Sequence, residues 1–241
     1  MAASPLFTAL SDAAPTISVG MLTADLLNLG ADMRRLESTG VRLVHFDVMD
    51  GCFCPMSTFG PPVVQAVRTP LFKDVHLMIT EPLRKVADYV KAGADIVTVH
   101  AESDRHIHRV FQELATMQNA NDPARGVVRG LALNPGTSVD VIEPLLDHIE
   151  LVLLLTINPG WSGQKFGVET PRRVERARHL IDGYDILLGV DGGITRQNIG
   201  EVARLHPDLI VTGSAVFDGK APAENATYML EAIAAAFADA E

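Results

Sequence analysis

Only two cysteines occur in 241 residues, and they stand one residue apart at Cys52 and Cys54. Such a pair cannot staple a chain of this size, so a reducing compartment is expected, with the cytoplasm as the location. Positive charge is scarce as well. Twenty Lys and Arg stand against 30 Asp and Glu, a formal net charge of −10. Binding along a nucleic-acid backbone needs a basic face, so that class of partner is excluded. An anionic small molecule is not excluded, because backbone N–H groups and helix N-termini can hold a phosphate. Long apolar runs are missing too: none approaches about 18 residues, so no membrane span is expected. No Pro/Gly/Ser-rich linker divides the chain. The opening segment MAASPLFTALSDAAPT lacks a basic start and a long apolar stretch. Residues 1–14 are therefore expected to be a short tail rather than a signal peptide, with one catalytic domain over 15–241.

What is present is a single rhythm. Apolar residues make up 47% of the chain and charged residues 21%, which suits a large buried core. Eight short strand-like runs occupy 16–22, 42–48, 74–79, 95–100, 126–133, 150–157, 185–191 and 208–213. Helix-like segments separate them, among them 23–39, 81–93, 138–148 and 170–182. Thr23 and Ser138 stand where N-caps are expected, and Gly93 where a helix ends. Strands such as LVLLL, apolar throughout, suit a sheet covered on both faces. Eight strand–helix units predict an α/β fold, a (β/α)8 barrel. A doubly wound open sheet would need fewer strands and a Gly-rich turn after the first, where TADLL stands instead.

In such a barrel, chemistry belongs at the C-terminal ends of the strands. His45 and Asp47, two residues apart on the second strand, point to one face. His76 in the third strand and Asp191 at the end of the seventh bring the set to two imidazoles and two carboxylates. Mixed nitrogen and oxygen donors suit one divalent ion, Zn²⁺, Fe²⁺ or Mn²⁺, better than Ca²⁺ or a thiolate cluster. On spacing alone, a histidine at a strand end is as often structural as a ligand. The Gly-rich segments NPGWSGQKFG, DGGIT and TGSAVF follow strands six, seven and eight. Each alone could be a plain turn, but together at barrel strand ends they predict a phosphate cradle.

The motifs HFDVMDG, TFGPP, DVHLMI, LALNPGTSVD, NPGWSGQKF, VDGGIT and VTGSAVF occur in this order between Ile17 and Phe217. In these the chain resembles the ribulose-phosphate 3-epimerases, metal-dependent barrels acting on a phosphorylated ketopentose. The resemblance implies His45, Asp47, His76 and Asp191 as metal ligands, with Asp47 and Asp191 as the acid/base pair. It implies contacts to substrate or phosphate from His76, Gly160, Trp161, Ser162, Gly163, Gly192, Gly193, Gly213 and Ser214. Met49, Met78 and Leu155 would wall the pocket. The implied substrate is D-ribulose 5-phosphate, turned into D-xylulose 5-phosphate by inversion at C3.

The chain departs from that family at several places. Gly20 stands where the family has a serine, and Leu155 where it has a methionine. Cys52, Cys54 and Met56 replace a His, an aliphatic residue and an Asn, and Trp161 and Ser162 vary the covering loop. These departures keep open a 3-epimerase of another ketose phosphate, such as allulose 6-phosphate. A metal-free phosphosugar isomerase or lyase is the other alternative, though the strand ends carry no lysine for it. The two cysteines are expected to shape the pocket rather than hold metal, and Asp50 to serve a turn. His100, His106, His108, His148, His179 and His206 are expected in structural or solvated roles. Association into a homo-oligomer is expected.

Overall fold

The computed structural model describes residues 4–161, 163–219 and 221–238. Eight parallel strands run in sequence order: β1 (Thr16–Gly20), β2 (Leu43–Met49), β3 (Phe72–Met78), β4 (Ile96–His100), β5 (Val128–Leu133), β6 (Leu151–Leu155), β7 (Leu187–Asp191) and β8 (Leu209–Thr212). β8 pairs back onto β1 and closes the barrel. Every strand expected from the sequence is present, with each end within two residues of its expected place. The strands are buried along nearly their whole length because helices cover the outside while side chains fill the inside.

The helices are α1 (Pro5–Ala13), α2 (Leu29–Glu37), α3 (Pro61–Ala66), α4 (Val86–Lys91), α5 (Ile107–Leu114), α6 (Thr170–Ile181), α7 (Ile199–Ala203) and α8 (Pro222–Ala238). Two expectations are corrected here. The helix after β1 starts at Leu29, because Thr23 closes a 3-10 turn over Met21–Thr23 and Asn28 takes the N-cap place. The segment after β5 winds as a 3-10 helix over Val139–Leu145, with Pro144 inside it. Proline has no N–H to offer an α-helical ladder. Ser138 does cap this segment, accepting from the Asp140 N–H, and Gly93 follows α4 at φ +94°.

The expected tail at 1–14 is also corrected, since residues 5–13 are α1. Ser4 accepts a hydrogen bond from Phe7 N at 3.2 Å, and Pro5 opens the helix with its φ already suited. Leu6, Phe7 and Leu10 then pack on Leu43, Ile96, Val128, Leu151, Leu187 and Leu209, which form the lowest layer of the barrel interior. The helix is a plug for the N-terminal end of the barrel. Without it those strand residues would meet water.

Polarity rises toward the opposite end. Ser18, His45, Asp74 and Thr98 are all fully buried inside the barrel. Asp47 and Asp191 stand above that layer with their side chains 20% and 15% exposed. The fold thus grades from a dry apolar base to a chemically equipped mouth. No described helix is long and apolar enough to cross a membrane.

Leu10→Ala is expected to cost about 2–5 kcal/mol of stability by leaving a void under the barrel. Urea unfolding followed by circular dichroism checks this, and an unchanged midpoint would show that α1 is not part of the core.

Candidate metal centre and active site

Strand register brings the four expected ligands together. Asp47 of β2 lies directly beside His76 of β3, and Gly20 of β1 beside His45. Alternation along β2 turns His45 and Asp47 into the barrel together. Thr58 steadies this strand end: its hydroxyl bonds to the Asp47 carbonyl and accepts from Met49 N at 3.0 Å. Asp47 Oδ1 lies 3.5 Å from His45 Nε2 and 3.8 Å from His76 Nδ1, while Asp191 Oδ2 is 3.6 Å from His76 Nδ1. One donor atom from each of the four residues falls within 4.8 Å of every other.

Two of these atoms give a test of fitness for metal. His45 Nε2 and His76 Nδ1 are buried and have no hydrogen-bond partner in the protein. A buried polar atom left bare costs about 1–3 kcal/mol, and proteins seldom tolerate it without a purpose. Both atoms face the same pair of carboxylates. Two bare imidazole nitrogens and two carboxylates form a donor set that fits a divalent first-row ion.

A further ring of residues orients each imidazole. The other nitrogen of His45, Nδ1, is 2.6 Å from Asp74 Oδ2, which also accepts from the Ser18 hydroxyl at 2.9 Å. A carboxylate there takes the Nδ1 proton as its partner and leaves Nε2 free. Burial pushes His45 down, but Asp74 and Asp47 outweigh it and hold its pKa well above the ordinary value. Burial raises Asp47, yet His45 and His76 reverse this and keep its carboxyl below the ordinary range. The orienting role of Asp74 was not anticipated from the sequence. It stands two residues before His76 on the same strand, so alternation would have placed it on the same inner face.

Above the four residues lies a cavity of about 720 Å³. Its walls include Asp47, Asp191, Met49, Met78 and Leu155. Gly160, Trp161, Gly163, Gly192, Gly193, Gly213 and Ser214 also line it, whereas Ser162 lies outside the described residues. Gly193 has φ +62°, and a Cβ there would fall 2.6 Å from Phe166 N. Only glycine lets the loop after β7 approach the loop after β6 so closely. Gly20 is less confined, since a Cβ on it would lie 3.3 Å from Gly213 Cα, a tight contact that a shift of a few tenths of an ångström relieves. His76, expected to touch substrate as well as metal, has a fully buried side chain beneath the cavity. It can act on a substrate only through what it binds.

The two cysteines are apart from the donor set. Cys54 is buried against Met49 and Met78, and Cys52 is exposed; both are free thiols. Burial pushes the Cys54 thiol up, as do the nearby charges of Asp50 and Asp47, so it is not a poised thiolate. Asp50 organises their turn, accepting from Cys52 N and Phe53 N at 2.9 Å each and from Thr80 N at 2.8 Å. Among the other histidines, His108 and His148 meet at the surface, Nε2 to Nε2 at 3.0 Å.

A closed parallel barrel with a two-histidine, two-aspartate centre at its C-terminal mouth defines a class, a barrel enzyme with a metal-competent site. Comparison with known proteins narrows this. Residues 16–217 match the model of the ribulose-phosphate 3 epimerase family. A ribulose-phosphate 3-epimerase of Bacillus subtilis is 41% identical over 206 residues, covering 83% of this chain and 91% of the relative. The chloroplastic ribulose-5-phosphate-3-epimerase of Arabidopsis thaliana is 40% identical over 214 residues, covering 86% and 73%. The ribulose-phosphate 3-epimerase of Escherichia coli K12 is 38% identical over 209 residues, covering 84% and 88%. The chain belongs to the ribulose-phosphate 3-epimerase family. Solved barrels agree in fold alone. 3-Hexulose-6-phosphate synthase from Salmonella typhimurium superposes with a TM-score of 0.65 at 16% identity, over 92% of this chain and 99% of that one. The tryptophan synthase alpha subunit of Legionella pneumophila gives 0.64 at 14%, over 97% and 100%.

Replacing Cys52 by Ser and Cys54 by Ala together is expected to leave Zn²⁺ affinity within about threefold of the parent. Competition with a chromophoric chelator measures this. Loss of tight binding in the double variant would return the thiols to the ligand set.

Proposed function

We propose that this protein interconverts D-ribulose 5-phosphate and D-xylulose 5-phosphate by inverting C3. Family membership gives the reaction class, and one observation carries its assignment to residues. Asp47 of β2 and Asp191 of β7 reach the cavity from different strands, with β8 and β1 between them, and both approach His76. Inversion next to a ketone needs a base on one face of the carbon and an acid on the other. Two carboxylates arriving from separate strands can serve both faces while each stays fixed.

Asp47, ionised because His45 and His76 favour its charged form, is competent to take a proton from C3. Asp191, when protonated, returns one to the opposite face. In the reverse direction the two exchange roles. Removing the proton from C3 leaves an enediolate, and Met49, Met78 and Leu155 limit the water that could reach it. His45, Asp47, His76 and Asp191 would hold a divalent ion, Zn²⁺, Fe²⁺ or Mn²⁺. When bound, such an ion supplies Lewis-acid polarisation of the carbonyl beside C3. Gly192, Gly193, Gly213 and Ser214, with Gly160, Trp161 and Gly163, would cradle the phosphate through backbone N–H groups.

Incubation with ribulose 5-phosphate in D₂O and Zn²⁺ is expected to give xylulose 5-phosphate carrying deuterium at C3. Asp47→Asn and Asp191→Asn should each lower turnover by about 10²–10⁴-fold while still washing deuterium into one of the two epimers. Absence of exchange in metal-loaded parent protein would sink the reading.

Gly20 and Leu155 favour a second reading at the level of the sugar. Gly20 offers no hydroxyl to the substrate, and a site lacking a hydrogen-bonding group discriminates less strongly. Ribulose 5-phosphate is nonetheless expected to show the highest kcat/KM in a series with allulose 6-phosphate and shorter ketose phosphates. A reversed order would assign the enzyme to another ketose.

A further inference from the structure

His76 carries its bare nitrogen at Nδ1, whereas His45 carries it at Nε2. The two are therefore oriented by different means. His45 is held by a carboxylate directly. His76 is held by another imidazole: its Nε2 lies 2.8 Å from His100 Nε2. The ring planes are within 18° of parallel with centroids 4.9 Å apart. With so short a nitrogen–nitrogen contact, this spacing sets the rings edge to edge, in line for a hydrogen bond. His100 Nδ1 in turn faces Glu102 Oε2 at 3.2 Å.

One proton must sit between the two Nε2 atoms, and which ring owns it decides whether His76 can bind metal. If His76 owns it, Nδ1 of His76 is bare and His100 must carry its own proton at Nδ1. If His100 owns it, His76 carries a proton at Nδ1, the atom that faces Asp47 and Asp191. Glu102 selects between these arrangements. Its Oε1 already accepts from Asn134 N at 2.9 Å and from the Thr137 hydroxyl, so the group is anchored as an acceptor. An ionised carboxylate cannot donate, so His100 must present an N–H to it. The other carboxylate oxygen, Oε2, faces His100 Nδ1, so the N–H of that contact belongs to His100.

The geometry points to His100 and Glu102 as positioning residues that fix the tautomer of His76, so that Nδ1 stays bare for metal. This rests on the metal-centre reading of the four residues above, and it adds two residues that touch neither metal nor substrate. Glu102 also ties the loop after β5 to the strand-four end through Asn134 and Thr137. Arg173 of α6 braces the same place, donating to the Leu155 and Asn134 carbonyls at 2.7 and 2.8 Å. A purely structural role for Glu102 in that loop is thus the competing explanation.

Glu102→Gln separates the two. The Asn134 N–H and the Thr137 hydroxyl hold the amide oxygen on their side, which turns the NH₂ group toward His100 Nδ1. That group donates where the carboxylate accepted. The relay then reverses: His100 donates from Nε2, and His76 carries its proton at Nδ1. In metal-free ¹⁵N-histidine-labelled protein, NMR should show His76 protonated at Nε2 in the parent and at Nδ1 in E102Q. Zn²⁺ affinity by chelator competition should fall by about 10–100-fold in E102Q. Thr137→Val removes a loop bond to Glu102 without touching the relay and should leave Zn²⁺ affinity near that of the parent. The inference is overturned if E102Q binds Zn²⁺ as tightly as the parent, or if T137V weakens binding as much. It is also overturned if the parent shows His76 protonated at Nδ1. These readings use no substrate, so they stand apart from any failure of the epimerase assignment.

Discussion

Two buried imidazole nitrogens, His45 Nε2 and His76 Nδ1, face two carboxylates with no partner of their own. A buried polar atom without a partner costs about 1–3 kcal/mol, a cost the neighbouring carboxylates reduce at His45 by favouring its protonated form in the metal-free chain. The rest of the molecule can be understood as what tolerates that cost and keeps both atoms aimed. The barrel holds β2 and β3 in a fixed register, which places Asp47 beside His76. Asp74, with Ser18, turns one ring, and His100, with Glu102, faces the other. A flexible scaffold would let either imidazole rotate to find a hydrogen bond, and the centre would vanish.

The stability that supports this arrangement comes from the opposite end of the barrel. There the interior is mostly apolar, and α1 closes it with Leu6, Phe7 and Leu10. The separation follows a general division in this architecture, with chemistry at the C-terminal mouth and packing at the base. It also explains why glycine gathers at the mouth. Gly20, Gly192, Gly193 and Gly213 surround the cavity where backbone must come close to backbone and a phosphate must come close to both.

Much of this was legible in the sequence, for identifiable reasons. The eight strands could be read because each is a short run of apolar residues bounded by turns. His45 and Asp47 could be paired because two residues on a strand share a face. Asp74 is open to the same argument through its spacing from His76, but spacing alone does not tell a ligand from the residue that orients one. The plug α1 carried a cap signature in Ser4 and Pro5 and an apolar stripe in Leu6, Phe7 and Leu10. The segment reads as a tail because it lacks a basic start and a long apolar stretch, and nothing local says that a barrel base needs covering. Which nitrogen of each histidine faces the metal was beyond any sequence argument. That choice depends on ring rotation, which is set by residues 24 and 29 positions away. The same limit applies to Glu102: the segment VTVHAE shows a carboxylate after a histidine, not a chain of hydrogen bonds.

Anomalous diffraction from Zn²⁺-loaded crystals, recorded at the zinc edge, tests the central claim most directly. The account predicts one strong peak at about 2.0–2.2 Å from His45 Nε2, His76 Nδ1 and one oxygen each of Asp47 and Asp191. Zinc bound through the opposite nitrogen of either histidine, or a principal peak away from these four residues, would contradict it.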